Sequence, residues 1–201
     1  MNGKSKYTGS FTAGALLHRE FVVIQQFMQD ENLKELLALE IKQNKHLAIK
    51  TETGRKRIVS EMQIRIQHAP AAFWDFFYNL PETEQKLALF YLCLKTYLLV
   101  FDLHFEVVVP KWKLHTKELD TLDIQMRIDR IAAFDETVYN WTVVTKKKLI
   151  TKYRKMLKEA GLMNNEKLIK PNGITFEFWQ YFIRLNELWF IEACFYNLNE
   201  I

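Results

Sequence analysis

The chain is poor in the residues that punctuate and cross-link a fold. Its 201 residues include only four prolines and six glycines, too few for the closely spaced turns of a β-sandwich or barrel. The two cysteines, Cys93 and Cys194, lie inside apolar helical patterns and have no partner at metal-ligand spacing. They read as reduced core thiols of a cytoplasmic protein. The glycines are isolated, so no phosphate-cradling loop is present. The five histidines (His18, His46, His68, His104 and His115) are scattered and never pair at i, i+4 around a carboxylate. Nothing here points to an enzyme, a metal, a cofactor or a small-molecule ligand. The start, MNGKSKYTGSF, lacks the apolar core of a signal peptide. The stretch from Leu87 to Phe105 is interrupted by Lys95, Asp102 and His104, whereas a membrane span needs ~20 mostly apolar residues. It reads as a central buried helix.

What is present is ordinary globular material, 49% hydrophobic and 26% charged, with a high aromatic share of 14%. The length suits one sizeable domain or two small ones. Periodicity is helical almost throughout. It predicts helices over Ala15–Gln29, Leu33–Gln43 and Thr51–Gln67, a short one opened by Pro70, and a long one opened by Pro81. Val107, Val108, Val109 and Pro110 are expected to break that long helix, and a boundary is placed there, dividing 1–109 from 110–201. Further helices are expected over Lys117–Ala133 and Asp135–Trp141. A basic helix ends at Gly161, a small β-hairpin turns at Asn164-Asn165, and a single aromatic helix covers Phe176–Phe195. The expected fold is an all-α helical bundle with helix-turn-helix elements, its C-terminal half winged-helix-like with one small hairpin.

The net charge of +4 is mild, but the cations are unevenly placed. Thr145–Lys158 carries seven cations and no acid: Lys146, Lys147, Lys148, Lys152, Arg154, Lys155 and Lys158. At about 100° per residue, Leu149, Tyr153, Met156 and Leu157 share one face, and the cations project elsewhere. A helix that is apolar on one side and cationic on the other suits a polyanion. A solvated basic surface helix is the bland alternative.

Helix, short helix, basic helix and hairpin is also the order of a winged helix-turn-helix, whose third helix enters the major groove. Thr145, Lys146 and Lys147 would open that helix, and Asn164, Asn165 and Lys167 would form the wing. The first half repeats the arrangement in outline: Thr53-x-x-Lys56-x-Ile58 superposes on Thr145-x-x-Lys148-x-Ile150. Arg55, Lys56, Arg57 and Arg65 are therefore further candidate contacts.

The chain resembles the BrxA family, the small component of bacterial BREX phage-defence systems. The likeness runs through YTGSFTAGALL, TETGRKRIVSEMQIRI, EQKLALFYLCLKTYLLVFDLHFEVV and WTVVTKKKLITKYRKMLKEAGLM, followed by Pro171, in that order over most of the chain. The resemblance implies an all-helical fold with helix-turn-helix elements and an N-terminal part comparable to NusB-type antitermination factors. It also implies binding to double-stranded DNA without a catalytic centre, in the company of other BREX components. Two departures follow. A serine is usual after the tryptophan of the last motif, and Thr142 stands here, so a displaced or weaker helix cap is expected. Some relatives carry an inner-membrane label, against which Lys95 and Asp102 argue.

The function these features imply is a non-enzymatic, cytoplasmic DNA-binding accessory that holds the phosphate backbone with little sequence preference. Lysine, a flexible point charge, dominates the basic helix, whereas guanine is read by the arginine fork. A helical adaptor docking protein partners, with Trp179, Phe182, Trp189, Phe190 and Phe195 as its apolar surface, is one alternative. A structured-RNA binder is another.

Overall fold

The computed structural model describes residues 5–201. Residues 1–4, the start of the leader read above against a signal peptide, lie outside the described residues. The fold is all-α apart from one two-stranded hairpin. After a 3-10 turn at Ser10–Ala13 come α1 (His18–Val23), α2 (Leu33–Gln43), α3 (Glu52–His68), α4 (Phe73–Tyr78) and α5 (Glu82–Thr96). Then follow α6 (Leu98–Leu103), a π-turn at His104–Val108, α7 (Val109–Trp112), α8 (Thr121–Ala132), α9 (Glu136–Tyr139) and α10 (Val143–Glu159). The hairpin β1 (Met163–Asn164) and β2 (Lys167–Leu168) leads to α11 (Phe176–Arg184) and α12 (Trp189–Ala193).

The first helix is shorter than its periodicity predicts. Ala15 and Leu17 have φ of 50° and 59°, left-handed values that cost a residue with a Cβ about 1–2 kcal/mol. Arg65 offsets that cost, donating to the carbonyls of Ala15 and Leu16 at 2.6 and 2.7 Å. The helix therefore starts only at His18, and it tightens into a 3-10 turn at Gln25–Phe27.

The central apolar run is not one helix either. Tyr97 adopts extended angles and separates α5 from α6. Val107, Val108 and Val109 do not end the helical run as expected. Pro110 removes the N–H that would bond back to Glu106. The chain widens into the π-turn, with the Val109 N–H reaching His104, and Pro110 then occupies the first turn of α7, where no donor is needed. The boundary placed at 109/110 thus falls within helical chain. The buried apolar core includes Leu99, Val100, Leu103 and Val108 before it and Leu119, Ile124 and Leu149 after it.

Both charges that interrupt the apolar run have partners. Lys95 reaches Glu187 at 2.5 Å, and Asp102 receives both forks of Arg127 at 2.7 Å. Among the described residues, no helix is long and apolar enough to cross a membrane.

The expected C-terminal helix is two helices. Asn186, with φ of 56°, takes the left-handed position that asparagine tolerates, and the N–H groups of Asn186 and Glu187 close the end of α11 on Ile183 and Phe182. The resulting corner folds the aromatic residues inward. Tyr91 of α5 meets the rings of Phe182, Trp189 and Phe190, while Phe76 stacks on Tyr181 with centroids 3.7 Å apart. Edge-to-face and offset contacts of this kind add to the burial of large apolar surface.

Candidate nucleic-acid interface

Thr142 caps α10. Its backbone is extended (φ −65°, ψ 157°), and its hydroxyl accepts from the Thr145 N–H at 3.1 Å, satisfying one of the orphan donors at a helix start. The weaker cap expected from the absent serine is therefore not found, because threonine supplies the same oxygen. At the other end Gly161 adopts φ of +73°. There the N–H groups of Gly161 and Leu162 bond to Lys158 and Leu157, a Schellman closure that favours glycine.

Leu149, Tyr153, Met156 and Leu157 are fully buried. At about 1.5–3 kcal/mol per large apolar side chain, these anchors fix which side of α10 faces out. The outward stripe, at helical spacing, is Val144, Lys147, Lys148, Thr151, Lys155 and Lys158, all exposed. The hairpin lies beyond the C-terminal end of α10, with Met163 opposite Leu168 and Asn164 opposite Lys167. A third segment runs along its outer edge: the Leu119 N–H bonds to Glu166, and the Leu168 N–H bonds to Lys117, both at 2.8 Å.

The candidate cations divide according to what they touch. Lys146 lies 2.8 Å from Asp129, and that hydrogen bond holds the Asp129 carboxyl below its usual range. Arg154 donates to the Leu119 carbonyl and pairs with Glu166, so it braces the hairpin. Lys155 pairs with Glu159 one turn on, and Lys56 with Glu52 one turn back. Among the described residues, Arg57, Lys147, Lys148, Lys152, Lys158 and Lys167 form no ion pair. Thr145 is half-buried within the cap.

Two candidates face the wrong way. Arg65 is completely buried and spends its donors on Ala15, Leu16 and Tyr97. Arg55 is 8% exposed and donates to the carbonyls of Ile41 and Ile49. A duplex cannot reach either, and both are structural arginines. The internal match also shifts by one residue. Both α3 and α10 span 17 residues behind a threonine cap, so Thr51 aligns with Thr142 and Arg65 with the buried Met156.

Arg57 is the one α3 candidate that reaches α10. Its guanidinium donates to Thr12 at 3.0 Å. Thr12 and Arg57 line a cleft of about 480 Å³ with Val144, Lys147, Lys148, Thr151 and Lys152, and no acid lines it. The turn carrying Thr12 sits directly on α10. A Cβ added at Gly9 would come within 2.9 Å of Leu149 Cδ2, so a larger residue there would have to displace the end of that side chain. Sequence reasoning missed Thr12 and Val144.

The fold and this cleft define a mostly helical protein with one small hairpin and a cationic face assembled from its leader, α3 and α10. Residues 5–186 match the BrxA family model, and the chain belongs to the BrxA family. Membership carries a BREX-related role. The crystal structure of an uncharacterized protein from Magnetospirillum magneticum superposes with a TM-score of 0.77 at 19% identity. The match covers 94% of this chain and 98% of that one, a shared fold over essentially the whole length. No curated protein matches the chain.

Proposed function

We propose that this BrxA-family protein binds double-stranded DNA as a non-catalytic, cytoplasmic component of a BREX-type defence system, alongside other BREX proteins. The observation that carries the reading is the acid-free cleft where Arg57 meets Lys147, Lys148 and Lys152. Uncompensated cations held on a packed helix attract a polyanion, because binding releases the polyanion's condensed counterions. The arrangement is that of a winged helix-turn-helix in region 110–201, with α10 as the helix presented to the groove and Lys167 on the wing. Region 1–109 contributes Arg57. Phosphate contacts dominate, and Lys146, Arg154, Lys155 and Lys56 act mainly through their intramolecular partners.

The test is fluorescence anisotropy of a labelled ~30-base-pair duplex at several salt concentrations. With the five cations Arg57, Lys147, Lys148, Lys152 and Lys158 engaged, log K should fall against log salt with a slope of roughly −4 to −5. Affinity without salt dependence, or no affinity at low salt, would overturn the reading. Competition with an RNA duplex of equal length separates DNA from structured RNA.

A further inference from the structure

The five most exposed large apolar side chains among the described residues are Phe134, Tyr139, Val143, Leu122 and Val144. All belong to the helix-turn-helix segment, and two of them open α10. Val143 is 68% exposed and Val144 is 61% exposed, and neither belongs to the core or packs against it. Valine is a poor choice for an exposed helical turn, since its β-branch loses rotamer freedom there. The fold alone gives no reason for two in succession.

Their surroundings supply one. Val144 heads the outward stripe that continues through Lys147, Lys148 and Thr151, and it lines the same acid-free cleft as Arg57 and Lys152. A partner matching this surface must carry negative charge along its edges and an apolar group at the helix start. The major groove of a duplex has both: phosphates form its walls, and the C5-methyl of thymine projects from its floor. Cytosine, guanine and adenine present no methyl group there, so valine, which has no donor or acceptor, finds an apolar partner only at thymine.

We infer that Val143 and Val144 contact thymine methyl groups in the major groove and give the protein a preference for A·T-rich duplex. The inference rests on the DNA-binding reading above. It assigns the base-facing role to the two valines and leaves the lysines as sequence-independent anchors.

The test compares an A·T-rich duplex with the same duplex carrying deoxyuridine for thymine. The exchange keeps every charge and base-pairing group and removes only the C5-methyl. Wild-type protein should bind the thymine duplex more tightly, by about four-fold for each methyl group withdrawn from water, with the same salt slope for both. The V143A/V144A variant should lose that difference and retain the salt slope. Both sites are exposed, and alanine favours the helix, so the variant is expected to fold. Equal, salt-sensitive affinity of wild type for the two duplexes would overturn this inference and leave the phosphate-binding reading standing. A thymine preference that survives in V143A/V144A would overturn the assignment to these residues. Absence of binding to either duplex would overturn both readings.

Discussion

The Tyr97 hydroxyl accepts from Arg65 Nε at 2.8 Å and donates to Glu61 at 2.7 Å, joining a buried cation to a buried carboxylate. Burial pushes the Tyr97 pKa upward, so the phenol keeps the proton it donates. With its guanidinium also on Ala15 and Leu16, Arg65 holds the left-handed entry to α1 and links the leader to α3 and α5.

Replacing Arg65 with alanine should therefore destabilise the fold by about 3–5 kcal/mol, the usual result of removing one member of a buried charged network. Urea denaturation measures it. Protein that remains folded in the cold should keep its salt-sensitive DNA affinity. A stability loss below about 1 kcal/mol would show that the carbonyls and Glu61 find other partners.

That arginine also marks where the sequence is readable and where it is not. The apolar stripes of α2, α3 and α10 repeat at helical spacing, and the ends of α2 and α3 fall within a residue of where periodicity puts them, whereas α10 begins at Val143, two residues before the expected start at Thr145. Arg65 sits at a core position of the α3 stripe, in register with Met156, yet its charge argues for the surface. The carbonyls of Ala15 and Leu16, folded back from the leader, together with the Tyr97–Glu61 pair make its burial possible. The same holds for the breaks at Tyr97 and Asn186. Local sequence favours continuous helix there, and tertiary packing of the aromatic corner decides otherwise. Within the candidate interface, the lysines of α10 are plain in the sequence. The meeting of Arg57 with Thr12 is a contact between segments 45 residues apart, with no periodic signature.

Neighbouring lysines on α10 should behave differently. A K147E/K148E double reversal removes two unpaired charges from the cleft. It should weaken duplex binding strongly and flatten the salt slope by about two, at ~0.9 per phosphate contact. Lys146→Gln removes a charge already engaged with Asp129 and should leave the slope nearly unchanged. Equal effects of the two variants in the anisotropy titration would mean that net charge matters rather than position.

Asp102 makes a second long-range tie. It receives both forks of Arg127 from α8 and, at 3.2 Å, the hydroxyl of Tyr7. Its side chain is only 10% exposed. Asp102→Asn keeps the shape but loses the charge-assisted bidentate pair. The expected cost is about 2 kcal/mol, read by thermal or urea denaturation. Faster proteolytic cleavage near Tyr7 should accompany it, because the leader loses one of its anchors. Resistance equal to wild type would assign the leader's attachment to its packing on Leu149 instead.

His104 should make stability depend on pH. Its Nε2 faces the Ala193 carbonyl at 2.8 Å, and its Nδ1 faces the Tyr153 hydroxyl at 3.0 Å. Nε2 must carry the proton to donate to Ala193, leaving Nδ1 to accept from Tyr153, whose pKa burial raises well above its ordinary value. Burial lowers the His104 pKa from 6.5 to about 4. Between those values the unfolded chain binds a proton that the folded one refuses, so stability rises with pH across that window. As pH falls from 6.5 to 4 the native state should lose about 3 kcal/mol on this account, at 1.36 kcal/mol per pKa unit. Carboxylates titrate in the same range, so the measurement is the difference between wild type and His104→Gln in urea midpoints taken across pH. Glutamine can bond to Ala193 and Tyr153 but cannot be protonated. The variant should be the less stable protein at pH 7, and its disadvantage should shrink toward pH 4. A constant difference at every pH would mean that the native state accepts the proton without cost, against a buried imidazole with no acid as a hydrogen-bond partner.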